Sequence, residues 1–155
     1  MQADKTQYSS AIEIITSDTV NIPDPAMFAG TGVNSEVVEN ALQIATAKFN
    51  ITLLGGTVYN RTNGTCANIT AVINEKFLML SEDIFNDSGQ VYEVYQPTRN
   101  EGFAVYIGEG SALNVLTMSG QTVTFSNVVQ GTILPVNVVR VFSTGTAAVK
   151  LIALR

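Results

Sequence analysis

Between Phe103 and Leu154 the chain is cut into five short apolar runs, each closed by a turn signal, and no stretch between them is long enough for a helix. Phe103, Val105 and Ile107 alternate with Ala104 and Tyr106 before Gly108-Glu109-Gly110. Leu113 to Met118 stops at Ser119-Gly120, and the chain restarts at Thr122 with Val123 and Phe125 on one face and Thr122 and Thr124 on the other, a hairpin signature. Ile133 to Phe142 is apolar on both faces, with Val136 and Val138 on one side and Val139 and Val141 on the other, which predicts burial on both sides inside the domain or under a partner chain. Pro135 has no N–H to give a ladder and is placed at the start of this strand or at an unpaired edge. Ser143-Thr144-Gly145-Thr146 then turns the chain into Ala148 to Leu154. The predicted fold class is all-β, or mainly β with one short helix: an antiparallel β-barrel or jelly-roll-like sandwich carrying a long insert.

The N-terminal part adds a strand from Ala11 to Ile15, a turn at Ser17-Asp18-Thr19 and an extended segment held by Pro23 and Pro25. Ser35 to Lys48 is read as a helix capped by Asn34, with Glu36 and Glu39 near its positive end and Val38, Leu42, Ala45 and Phe49 on one face. A strand starting near Ala47 competes with it, because Phe49, Ile51 and Leu53 alternate before Gly55-Gly56. Thr57 to Tyr59 and Ile69 to Ile73 are expected to be strands around a polar tip, Asn60 to Asn68, that faces outward. Phe77 to Leu80 is a short apolar run, and Val91, Tyr92, Val94 and Tyr95 make another. Asn-x-Ser/Thr matches at Asn50, Asn60, Asn63 and Asn68 record how rich this region is in Asn and Thr.

At 155 residues the chain is expected to form a single domain, and its composition removes several functions. Only 14% of residues are charged, against about 25% in an average domain, and 10 Ser, 17 Thr and 13 Asn supply the remaining polarity. A net charge of −5 with no cluster of Lys or Arg argues against nucleic acid. The absence of histidine removes the usual nucleophile activation and proton shuttling, and the lone Cys66 can build neither an intramolecular disulfide nor a cysteine zinc site. Met1 to Ser10 is polar, and no apolar run approaches the roughly 18 residues of a membrane span, so a soluble chain made in a cytoplasm, without a membrane partner, is expected. Gly30-Thr31-Gly32 lacks the third glycine of a dinucleotide fingerprint. Asp83, Asn86, Asp87 and Ser88 offer oxygens to a calcium ion, but acidic turns of this kind are common, and no catalytic, cofactor-binding or metal set is predicted.

Ile14-Ile15-Thr16-Ser17-Asp18-Thr19, Phe103-Ala104-Val105-Tyr106-Ile107-Gly108, Gly120-Gln121-Thr122-Val123-Thr124-Phe125, Gly131-Thr132-Ile133-Leu134-Pro135-Val136 and Arg140-Val141-Phe142-Ser143-Thr144-Gly145-Thr146 occur in that order. Together they resemble the head-spike-base proteins of tailed bacteriophages and gene transfer agents, which read roughly ITPSDT, a strand ending in Gly, GxTVTF, GTxLPV and RVxATGTTA. The resemblance covers residues 11–25 and 103–154; residues 26–102 are an insert it does not explain. It implies a structural virion protein, a capsid decoration, cement or head-spike-base protein on the capsid surface. The implied partners are the major capsid protein or other virion proteins, further copies of the chain in a homo-oligomer, and a fiber or spike protein.

Arg140, Val139, Val141 and Pro135 are the candidate oligomer or capsid interface, with Arg140 either pairing with a carboxylate across it or lying along an edge with its stem packed. Ser17-Asp18-Thr19 and Thr144-Gly145-Thr146 are read as side-chain-capped turns, and Gly131 as a positive-φ strand entry. The alternative is a glycan- or receptor-binding β module of a fiber or tail, for which Tyr92 and Tyr95 are the best aromatic candidates. A small β-barrel enzyme is a third class, supported by no residue set.

Overall fold

A computed structural model describes residues 7–97 and 101–155. Among these the chain is all-β: twelve strands in two antiparallel six-stranded sheets, with two short 3-10 turns at Pro25–Met27 and Ile51–Leu53. The first sheet takes all its strands from the two ends of the chain: β1 (Ala11–Glu13), β8 (Phe103–Glu109), β9 (Leu113–Thr117), β10 (Thr122–Phe125), β11 (Ile133–Val141) and β12 (Val149–Leu154), in the order β1-β12-β8-β11-β9-β10. The second is built within residues 28–95 from β2 (Phe28–Val33), β3 (Ala41–Gln43), β4 (Thr57–Asn60), β5 (Thr65–Asn74), β6 (Phe77–Leu80) and β7 (Val91–Tyr95), in the order β2-β7-β4-β5-β6-β3.

The first sheet curls because β11 changes partners along its length. Its first half pairs with β8 (Ile133 opposite Tyr106, Leu134 opposite Val105) and its second half with β9 (Arg140 opposite Leu116, Val141 opposite Val115), with register breaks on either side of Val138. Such breaks bend a strand and increase its twist. Beyond the start of β8, the edge of β11 is taken over by the chain's own N-terminal segment. Ile14 N–H donates to Leu151 O on β12, then Ser17 N–H to Val141 O and Ile22 N–H to Val139 O, each at 2.9 Å. Residues 11–22 thus cross from β12 to β11 and bury Ile12, Ile14, Ile15, Val20 and Ile22 in the core of this sheet.

The crossing corrects the reading of β11 as apolar on two buried faces. Leu134, Val138, Val139 and Val141 are buried, but Ile133, Pro135 and Asn137 are exposed, and the cover over the second half comes from the same chain. Period-two alternation fails there because the register breaks let the neighbours Val138 and Val139 both be buried.

The second sheet wraps a separate core that includes Leu42, Val58, Ile69, Leu78, Phe85 and Val94. One wall is common to both cores. All four residues of β4 are buried, Val58 facing the second core and Tyr59 the first, and the neighbouring Cys66 and Tyr95 join Tyr59 there. The insert is therefore packed into the first core as well as building its own.

No helix forms over 35–48. Asn40 adopts a positive φ of 51°, and Ala41–Gln43 pairs with β6 in the register Leu42 opposite Leu78. Val37, Val38, Ile44 and Thr46 are β-branched and lose rotamer freedom in a helix. Burying Leu42 and Ile44 against β6 satisfies both side chains and ladder bonds. The competing strand from Ala47 does not form either: Asn50 Oδ1 accepts the Thr52 N–H at 3.0 Å and caps the Ile51–Leu53 turn.

Tyr59 is the one side chain among the described residues whose buried polar atom has no hydrogen-bond partner. The Ile15 backbone approaches its hydroxyl without completing a bond, and burial pushes the phenol well above its ordinary value. An unpaired buried hydroxyl costs stability. Tyr59→Phe is expected to raise unfolding stability by about 1 kcal/mol in urea titrations, the reverse of the usual effect of a core substitution.

Candidate interaction surface

The residues expected to face a partner are mostly engaged within the chain. Arg140 Nε donates to Asn21 Oδ1 and Nη1 to the Asp18 carbonyl, both at 2.9 Å, and the guanidinium lies 5.7 Å from the Phe142 ring centroid. Its two strong bonds tie β11 to the crossing segment, so the arginine is an internal clamp. Val139 and Val141 are buried, and only Pro135 is exposed.

The two capped turns hold each other. Ser17 Oγ accepts the N–H groups of Thr19 and Val20, closing the first turn. Asp18 accepts the Thr144 N–H at 2.9 Å and the Thr144 hydroxyl at 2.6 Å, which fixes the second turn across 126 residues of sequence. These hydrogen bonds, the Thr144 hydroxyl first and with help from Arg140, hold the Asp18 carboxyl below its ordinary value.

A second network anchors the β4–β5 turn. Asn60, expected at an outward tip, is fully buried: Oδ1 accepts the N–H groups of Thr62 and Asn63, and Nδ2 donates to Ile84 O at 2.7 Å and Gln90 Oε1 at 3.0 Å. Only residues 62–65 of the tip are exposed, while Cys66 and Ala67 are buried. Asn86 Oδ1, offered by the sequence to a cation, accepts from Asn63 Nδ2 and Gln90 Nε2, and Asp83 Oδ1 accepts the Asn40 N–H. Asn34, expected to cap a helix, instead accepts the Gln90 N–H and donates to Asp87 O, each at 2.7 Å. Among the described residues no group of three His, Cys, Asp or Glu side chains is placed to hold a metal.

Arg61 bridges the two sheets. Its Nε pairs with Glu93 Oε2 at 2.9 Å, its Nη1 donates to Glu13 O on β1 at 3.0 Å, and its guanidinium stacks 4.7 Å from the Tyr59 centroid. Tyr95 donates its hydroxyl to the same Glu93 oxygen at 2.7 Å. Tyr92 and Tyr95 are both buried, which withdraws the aromatic platform expected of a glycan-binding face.

A wider region, which includes Pro135 and Val139, carries the features of an interface. From Gly110 to Val139 there are 30 consecutive residues without one charged side chain, spanning β9, β10 and most of β11. Met118, Val129 and Ile133 are exposed within it, and Val123, Phe125, Val128 and Val136 lie half-buried at the rim of the first core. Met118 and Val136 line a shallow cleft between the β9–β10 turn and β11, together with Thr117, Ser119, Gln121 and Asn137. Depletion of charge with retention of apolar side chains distinguishes the centre of an interface from ordinary surface. The signal is present in the sequence as a gap in the charge pattern, of which the apolar run in β11 is only one part.

No family model, no curated protein and no solved structure matches the chain.

Two measurements check this account. Asp18 is more acidic folded than unfolded, so its stabilisation is complete above its unfolded value and disappears as pH falls through the folded one. Asp18→Asn is expected to lower the melting temperature at pH 7 and to flatten the loss of stability below about pH 4. Cys66, buried and with its thiol pushed up to about 12, chiefly by burial, is expected to stay inert to a thiol-reactive dye at pH 8 and to react on denaturation; full labelling of the native protein would contradict the burial.

Proposed function

We propose that the protein is a structural component of a tailed-bacteriophage particle, a capsid decoration (cement) or head-spike-base protein that mounts on the capsid through protein–protein contacts and has no catalytic role. The observation that carries this reading is the origin of the first sheet. Every one of its strands comes from residues 11–25 or 103–154, the segments whose motifs resemble head-spike-base proteins, and they pair with one another although 77 residues of insert separate them. The charge-free surface belongs to the same sheet, as a docking face would require. In this reading the second sheet is the particle-specific addition, held rigidly by the shared wall at β4 and by Arg61.

The test is co-sedimentation of the purified protein with empty capsids of the phage that encodes it, assembled without this protein, followed by electron microscopy of the decorated particle. Saturable binding and density at symmetry-related positions are expected. Failure to bind, together with absence of the chain from purified virions, would sink the reading.

A further inference from the structure

We propose that the unpaired edge of β10 binds β10 of a second copy of the chain, antiparallel and related by a two-fold axis through Thr124. This goes beyond the virion reading and does not depend on it.

Among the described residues the sheet ends at β10, and the orientation of its backbone follows from the hairpin. Thr117 N–H donates to Gln121 O at 2.9 Å, so this pair is hydrogen-bonded, and bonded and non-bonded pairs alternate along an antiparallel ladder. Val123, opposite Val115, and Phe125, opposite Leu113, therefore turn their backbone groups inward to β9. Thr122 and Thr124 turn theirs to the open edge. Asn114, which faces Thr124, agrees with this assignment: its own N–H and C=O are used by Thr146 and Phe142 on the far side.

The other sheet ends are less suited to pairing. β1 has three residues, and the Glu13 carbonyl is taken by Arg61. β3 is flanked by the Glu36–Gln43 bridge. β2 has a register break between Phe28 and Gly30 and contains two glycines. β10 has none of the charges, prolines or breaks that ordinarily keep an edge from pairing.

A second copy is the occupant because the strand is complementary to itself. Centring the axis on Thr124 keeps the inner faces of both sheets on the same side, as residue parity requires. Thr124 then lies opposite Thr124, Thr122 opposite Ser126, and Val123 opposite Phe125, an aliphatic–aromatic pair of the kind that stabilises cross-strand contacts. Val123 and Phe125 already pack against the first core and remain half-exposed. The second copy covers that open side and joins the two cores. Electrostatics favours the same face: two chains of net charge −5 repel, and the least costly approach is across the segment that has no charge.

The experiment is sedimentation velocity on the full chain over the micromolar range, with Thr124→Lys and Thr124→Glu as variants. Thr124 is exposed, so both should fold, which circular dichroism checks. Wild type is expected to dimerise, and each variant to dimerise roughly tenfold more weakly at low salt because like charges face each other across the axis. An equimolar mixture of the two is expected to recover the dimer as a Lys–Glu heterodimer. Since Lys lowers the net negative charge and Glu raises it, weakening by both cannot come from net charge. A monomeric wild type would overturn the proposal and leave the edge to another partner, and an unchanged dimer in both variants would overturn this register. A monomer that still binds empty capsids defeats this inference alone, and a dimer that binds none defeats the virion reading alone.

Discussion

The structure depends on one crossing of the backbone. As β11 leaves β8 for β9, its outer edge would be left with unpaired carbonyls over a core open to water. Residues 11–22 fill that gap, bonding first to β12 and then to β11 while burying five aliphatic side chains. Buried backbone groups must find partners, and here the partner comes from the opposite end of the sequence. Arg140 and Asp18 reinforce the same junction from the surface, and each is committed by it: the arginine to Asn21 and the Asp18 carbonyl, the carboxylate to Thr144. Residues that look like free polar anchors along the chain are thus used up in closing the fold.

The second constraint is the two-sided strand β4. A strand buried on both faces joins two cores, and β4 does so with four residues, Val58 turned one way and Tyr59 the other. An insert attached in this manner is not a detachable loop. Removing residues 26–102 would take Tyr59, Cys66 and Tyr95 out of the first core along with the whole second sheet. The division into a family-like part and an insert describes where the strands come from; in packing the two parts share a wall. The same wall explains why the expected outward tip is shorter than the polar sequence suggests. Asn60 closes the turn with its own carboxamide and reaches Ile84 and Gln90, so a polar residue is buried with all its bonding groups supplied.

The local grammar of the strands is legible in the order of residues alone. Period-two alternation placed β8 and β10, and short apolar runs bounded by turn residues placed β4, β6, β7, β9 and β12, close to where they occur. Gly131, expected to have a positive φ, has one of 78°, and Gly145 in the Thr-Gly-Thr turn has one of 83°, both dictated by a backbone conformation that penalises a Cβ. Which strands meet is set by long-range packing. The helical spacing of Val38, Leu42, Ala45 and Phe49 is a real pattern, but Leu42 and Ile44 also fit a ladder, and β6 supplies it, with Leu78 opposite Leu42. The apolar second half of β11 called for a cover, and alternation cannot say whether that comes from the same chain or another. Residues 17–22 supply it through pairing across more than 100 residues, and the charge-free strand β10 is left at one end of the sheet. Side-chain alternation is a property of neighbours in sequence; pairing and cover are properties of segments distant in sequence, and they are set by which arrangement leaves the fewest backbone groups and apolar side chains in the wrong place.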